Sequence, residues 1–189
     1  MNTLQPLTVK LTARENLSRD EARDAAIELS RAEVSLEDKR AFLLALSRKG
    51  ESAEEVAAFA SAFRNLARGT GLDDLAPQAI DIVGTGGSGS GSYNISSVSA
   101  MCVAAAGVTV IKHGNRAITS QSGAADFLGA LGVPQSPPLP VLRRCVEELN
   151  FCFLFAPSFH PAFKEIGPVR RALAAEGMRT IFNILGPLI

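Results

Sequence analysis

The stretch Asp81–Ser97, DIVGTGGSGSGSYNISS, decides how this chain is read. An apolar segment runs into glycines and serines and then into what reads as a helix start. Three readings are open: a flexible Gly/Ser linker, a dinucleotide fingerprint, or a cradle for a different phosphate. Gly84-x-Gly86-x-x-Gly89 matches the dinucleotide pattern and sits between a strand and a helix, as that reading requires. The pattern also needs an acid about 20 positions on to hold a ribose hydroxyl. No Asp or Glu occurs between Asp81 and Asp126. The second strand candidate ends instead in Lys112-His113-Gly114-Asn115-Arg116, basic where the dinucleotide fold wants acid. A Walker loop fails as well, because no Lys follows the glycines. A linker, for its part, has no reason to lead into Asn94-Ile95-Ser96-Ser97, where hydroxyls and first-turn amides gather at the positive end of a helix dipole. Glycines let successive amides turn inward as an anion nest, and Lys112 and Arg116 supply countercharge. The composite predicts a ligand with several phosphates.

Working outward, the texture on either side differs. Before residue 75 the chain reads as helices: Ser18-x-x-Glu21 and Ser52-x-x-Glu55 are capping boxes, each opening an amphipathic run. Phe42, Leu43 and Leu46 mark a third helix stopped at Gly50, and Leu72 to Gln78 reads as a linker. From Ala79 onward, AIDIV, VTVI and FCFLF are strand candidates, with helices expected over 96–106, 122–131 and 139–149. That alternation implies parallel strands with crossover helices. A last helix is expected from Pro161 to Ala175, interrupted at Pro168. The fold class is therefore α/β: a small helical domain, residues 1–75, and a parallel-sheet α/β domain, residues 76–189.

Composition bounds the partners. Nineteen Lys+Arg balance nineteen Asp+Glu in 189 residues, so any anion site is local and no global charge favours nucleic acid. No apolar run approaches the roughly 18 residues of a membrane span, and a cytoplasmic location is expected. Cys102, Cys145 and Cys152 form no CxxC pair, and they are expected to be core thiols.

Four motifs bring a family into view. GTGGSGSGSYNISS, KHGNRAITSQSGAAD, FAPSFHPAFKEIGPVRR and TIFNILGPL, in that order, resemble the anthranilate phosphoribosyltransferase family across nearly the whole chain. The resemblance implies a nucleoside phosphorylase/phosphoribosyltransferase-like fold. It implies transfer of a 5-phosphoribosyl group from phosphoribosyl pyrophosphate (PRPP) to the amine of anthranilate, with Mg²⁺ and as a homodimer through the N-terminal helices. Carried over by position, Gly84, Gly87, Ser88, Ser92, Asn94, Ile95, Ser96 and Ser97 bind the donor, and Ser96 is a magnesium ligand. Lys112, His113, Gly114, Asn115, Arg116, Ala117, Ile118, Thr119, Ser120 and Ala124 complete the pocket. Lys112, His113 and Arg170 carry the catalytic roles, and Asn115 and Arg170 bind anthranilate, Arg170 through its carboxylate. His160 is expected to be structural, capping the helix that follows.

The chain departs from the family pattern in carrying Ser88 where the family has Asp, with Ser92, Tyr93 and Ser97 as milder changes. It also stops at GPLI, before the family's acidic magnesium-binding pair, so a fragment that is inactive alone is expected. Two further readings are carried: a pyrimidine nucleoside phosphorylase of similar fold, and a non-catalytic relative that binds nucleic acid. KHGNR argues against the first. The absence of a basic run argues against the second.

Overall fold

A computed structural model of the chain describes residues 3–84, 94–117 and 122–189. In chain order its helices and strands are α1 (Leu4–Thr12), α2 (Arg19–Leu29), α3 (Leu36–Lys49), α4 (Ala53–Asn65), α5 (Ile95–Ala105), β1 (Val110–Gly114), α6 (Ala124–Ala130), α7 (Leu139–Leu149), β2 (Phe151–Phe155), α8 (Ala156–Phe159), α9 (Ala162–Ala175) and α10 (Phe182–Leu185). No described helix is long and apolar enough to cross a membrane.

One compact unit joins the chain up to Ala67 with His160–Ile189. Both capping boxes form in full. Ser18 Oγ accepts from Glu21 N–H while Glu21 accepts from Ser18 N–H, and Ser52 and Glu55 repeat the exchange. Gly50, at φ 87°, ends α3 where a residue with a Cβ would be strained. Helix α1, which carries no capping signal, is held by Leu4, Leu7 and Leu11 on one buried stripe. The core is aromatic at its centre: Phe63 lies 5.2 Å from Phe163 and 5.4 Å from Phe182, ring centre to ring centre. Helix α9 runs unbroken through Pro168, contrary to the interruption expected from sequence. Burial of Ile166, Val169 and Leu173 on either side offsets the one hydrogen bond a proline removes.

The second unit is Arg68–Phe159. Strands β1 and β2 pair in parallel, with Val110 opposite Phe151 and Gly114 opposite Phe155, and the crossover between them passes through α6 and α7. VTVI was expected as the strand; it begins only at Val110 and takes in Lys112, His113 and Gly114. AIDIV is not a strand. Only Ile80 bridges to Val110 before the ladder stops. Nor is Leu72–Gln78 a loose linker, because Leu72 is buried with Leu142, Val146 and Cys152. Helix α5 lays Ser97, Ala100 and Ala104 against the sheet, small residues that permit close approach. The same helix leaves Cys102 exposed, so of the three thiols only Cys152 is a core residue. Burial pushes the Cys152 thiol up to about 12.

Candidate functional site

The ladder stops after Ile80 for a reason that also builds the site. The next rung of a parallel pair would join Ile82 N–H to the Ile111 carbonyl and His113 N–H to the Ile82 carbonyl. Both groups of the second bond are taken by side chains instead. His113 N–H donates to Asp81 Oδ1 at 3.3 Å, and the Ile82 carbonyl accepts from Lys112 Nζ at 2.6 Å. The His113 ring also reaches Asp81, with Nδ1 within hydrogen-bonding distance of Oδ2. Two side chains thus replace one backbone rung and fix the path of the chain into Gly84.

This placement gives Lys112 a definite character. Its side chain is buried, and burial lowers its pKa against the opposing pull of Asp81. Its Nζ donates to the Ile82 main-chain carbonyl, two residues before Gly84.

A second loop begins where β1 ends. Gly114 lies so close to α6 that a Cβ there would meet Ala124 Cβ at 2.9 Å and the Phe153 ring at 3.1 Å. Gly123 is tighter still: its Cβ would stand 2.5 Å from Ala117 N and 2.6 Å from Asn115 O. Asp126 draws the two ends of this loop together, its Oδ2 accepting from Ala117 N–H and Gly123 N–H at 2.9 Å each. Those two amides hold its carboxyl below the usual range, against some desolvation. Asn115 and Arg116 are exposed at the turn, with Asn115 Oδ1 accepting from Arg116 N–H. The Arg116 guanidinium lies 5.9 Å from the Phe155 ring centre.

The start of α5 meets this loop. Asn94 Nδ2 donates to Ser122 Oγ at 3.0 Å, and no side chain caps the first turn. Ile95 is exposed and Ser96 half-buried. Ser97 Oγ is buried and has no hydrogen-bond partner among the described residues. Gly84, Asn94, Ser96, Ser97, Lys112, His113, Gly114, Asn115, Arg116, Ala117 and Ala124 therefore belong to one unit, around the end of β1 and the N-terminus of α5. Gly87, Ser88, Ser92, Ile118, Thr119 and Ser120 lie outside the described residues. Asp81, Ser122 and Asp126 were not singled out from sequence. The available signal was their position: the two acids bracket the acid-free interval.

Arg170 belongs to the helical unit. Its guanidinium lies 5.0 Å from the Phe182 ring centre and 5.8 Å from that of Phe163, and burial lowers its pKa to about 10. It stays charged at neutral pH. His160 stacks on Phe163 at 5.4 Å and its carbonyl accepts from Phe163 N–H, whereas α9 has no side-chain cap. The described ring contact of His160 is thus a stack on Phe163 and not a helix cap. A cavity of about 270 Å³ in the second unit, lined by Arg68, Leu142, Phe153 and Phe159 among others, includes none of the residues assigned to a donor.

Comparison with known proteins agrees with this layout. Residues 76–189 match the a/b domain of a glycosyl transferase family, and residues 5–67 match the helical bundle domain of the same family. Anthranilate phosphoribosyltransferase of Xanthobacter autotrophicus is 46% identical over 189 residues, which cover all of this chain and 53% of that protein. The crystal structure of the Thermus thermophilus anthranilate phosphoribosyltransferase superposes with a TM-score of 0.82 at 42% identity, covering 100% of this chain and 54% of that one. That of Saccharomyces cerevisiae, in complex with PRPP and Mg, gives 0.82 at 29% identity, covering 98% and 54%. The chain spans about half the length of the curated relatives it matches.

Proposed function

This chain belongs to the glycosyl transferase family with that helical bundle and a/b domain pair, and from that membership we propose that it carries the donor site of an anthranilate phosphoribosyltransferase. The reaction moves the 5-phosphoribosyl group of PRPP to the amine of anthranilate, giving N-(5-phosphoribosyl)anthranilate and pyrophosphate, in tryptophan biosynthesis. The observation that carries the reading is the meeting of two anion-suited elements: the uncapped first turn of α5 and the Asn115–Gly123 loop closed by Asp126, joined through Asn94 and Ser122.

Leaving-group charge dictates the rest. As C1 separates from pyrophosphate, negative charge collects on the departing oxygens, and fixed amides and cations placed there lower the barrier. Gly84, Gly87, Ser88 and Ser92, with Asn94 to Ser97, take the diphosphate. Lys112 sets the backbone beneath Gly84, while Arg116 and the loop from Ala117 to Ser120 supply cation and amides. Asn115 and Arg170 serve the acceptor, Arg170 as a fork for its carboxylate.

Magnesium fits as a shared ligand. The described residues hold no group of three His, Cys, Asp or Glu that could cage a metal ion. Mg²⁺ bound to phosphates needs only one or two protein oxygens, and in this reading the hydroxyl of Ser96, half-buried in the first turn of α5, would give one. When bound, the ion neutralises charge on the leaving pyrophosphate. The N-terminal helices, residues 1–75, serve as the homodimer interface in this reading, supported by the exposed apolar Val9 and Leu36.

A fluorescence assay on the protein at the length its gene encodes tests the proposal by following anthranilate loss with PRPP and Mg²⁺. Arg170→Ala is expected to raise KM for anthranilate and Lys112→Met to raise KM for PRPP. No anthranilate loss removes the reading. Identical responses of the two variants remove the division of labour.

A further inference from the structure

We propose that the cavity of about 270 Å³ in the second unit is a binding site for a small apolar carboxylate that also carries a hydroxyl or N–H donor. None of the residues assigned above to the donor or the acceptor is among the described residues that line it. Its volume falls just below the roughly 300–1,000 Å³ of sites for drug-sized ligands. The occupant is therefore small.

The walls are apolar and held in shape before any ligand enters. Leu142 and Phe153 are buried, and Phe159 packs against the cluster that contains Leu142. Pro137 and Pro138, also lining residues, fix the backbone of the loop ahead of α7, so little chain has to be ordered on binding. Arg68 N–H donates to the Phe159 carbonyl at 2.7 Å, which ties the first residue of the unit to its last.

Polar groups on the lining set the ligand's chemistry. Gln135 Nε2 donates to the Val133 carbonyl at 3.1 Å, which fixes the orientation of the amide. Its Oε1 is buried and has no hydrogen-bond partner among the described residues. A buried acceptor left unsatisfied is unfavourable, and an O–H or N–H on the ligand relieves it. Arg68 is the one charged residue among the described lining residues; it is exposed, and its guanidinium makes no hydrogen bond or ion pair with a described residue. An ionic ligand is thus an anion, and a carboxylate suits the guanidinium fork. Ser136 and Ser158 bond to each other, Oγ to Oγ at 2.8 Å, and so demand nothing further of the ligand.

Saturation-transfer NMR titration of the full-length protein tests the site with three probes: 3-phenyllactate, 3-phenylpropionate, which lacks the hydroxyl, and 3-phenyllactamide, which lacks the charge. We expect 3-phenyllactate to bind with a Kd of about 1 mM or below and each of the others at least about 5-fold more weakly. Arg68→Gln should remove the preference for the acid over the amide. Gln135→Leu should weaken 3-phenyllactate by about 5-fold and leave 3-phenylpropionate within about 2-fold, because only the first loses a bond. Ser136→Trp, at an exposed lining position, should abolish binding of all three by filling the space, and it keeps the test decisive if Gln135→Leu does not fold. No saturation at ten times that Kd, equal affinity for the three probes, or binding that survives Ser136→Trp overturns the proposal. So does loss of binding in Arg170→Ala, which would assign the probe to the acceptor site.

Discussion

At the scale of single residues, Gly123 and Asp126 act on the same loop from opposite sides. A methyl at Gly123 would lie 2.5 Å from the Ala117 nitrogen, backbone that cannot swing aside as a side-chain tip can. Gly123→Ala is therefore expected to lower stability by about 1–3 kcal/mol and to weaken PRPP binding, read by thermal unfolding and calorimetry. Unchanged binding would show that the loop tolerates opening. Asp126 makes a pH prediction. Its folded-state pKa is depressed, first by the Ala117 amide and then by that of Gly123, so its contribution is complete above the unfolded value of about 3.9 and is lost as pH falls through the lower folded value. Urea midpoints of the native protein and Asp126→Asn should differ at pH 7 and converge as pH falls below the unfolded value and through the depressed folded one. A gap that persists in acid would assign the effect to packing. The motif KHGNR pointed to this region, but not to the work of its lysine. Lys112 is buried and donates to the Ile82 carbonyl at 2.6 Å, a contact between two segments that the motif does not contain.

Elements differ in how openly their sequences announce them. The start of α4 was legible because Ser52 and Glu55 need only local backbone to make their reciprocal bonds. Ser52→Ala should cost about 1 kcal/mol by urea denaturation. Glu55 does more than cap, which its sequence position cannot reveal. Buried completely, it accepts from Lys49 Nζ at 2.8 Å and from Leu17 N–H at 2.9 Å. Burial alone would raise its pKa, but Lys49 and the Ser52 and Leu17 amides prevail and keep it low. Removing only its charge partner, as in Lys49→Met, should cost about 3–5 kcal/mol, several times the loss of the cap. A smaller loss for Lys49→Met than for Ser52→Ala would contradict this ordering. AIDIV failed as a strand for the complementary reason. Its alternation suits a ladder, yet the rung beyond Ile80 is claimed by the side chains of Asp81 and Lys112, competitors that no propensity scale contains.

For the whole molecule, helical and α/β character could be read from the change of hydrophobic period near residue 75, but the assembly of the compact units could not. His160–Ile189 packs with the N-terminal helices, through Phe163 and Phe182 against Phe63. Phe63→Ala should cost about 3–5 kcal/mol and should expose this segment to proteolysis along with α4; cleavage confined to one of them would show that they do not share a core. The homodimer proposal belongs here too, and sedimentation of the full-length protein should find a dimer, a clean monomer removing it. What the sequence determined by itself was local or periodic: capped helices, the parallel β1 and β2 pair, and a glycine segment with basic residues beyond it. Those follow from neighbouring backbone groups and from which face is apolar. What only the tertiary structure decided was the employment of ionisable groups: Asp81 on His113, Lys112 on Ile82, and Asp126 on the two ends of a loop. Whether such a group meets a ligand, a main-chain carbonyl or a ring depends on distances between segments that are remote in the chain, and burial then sets the strength of each contact.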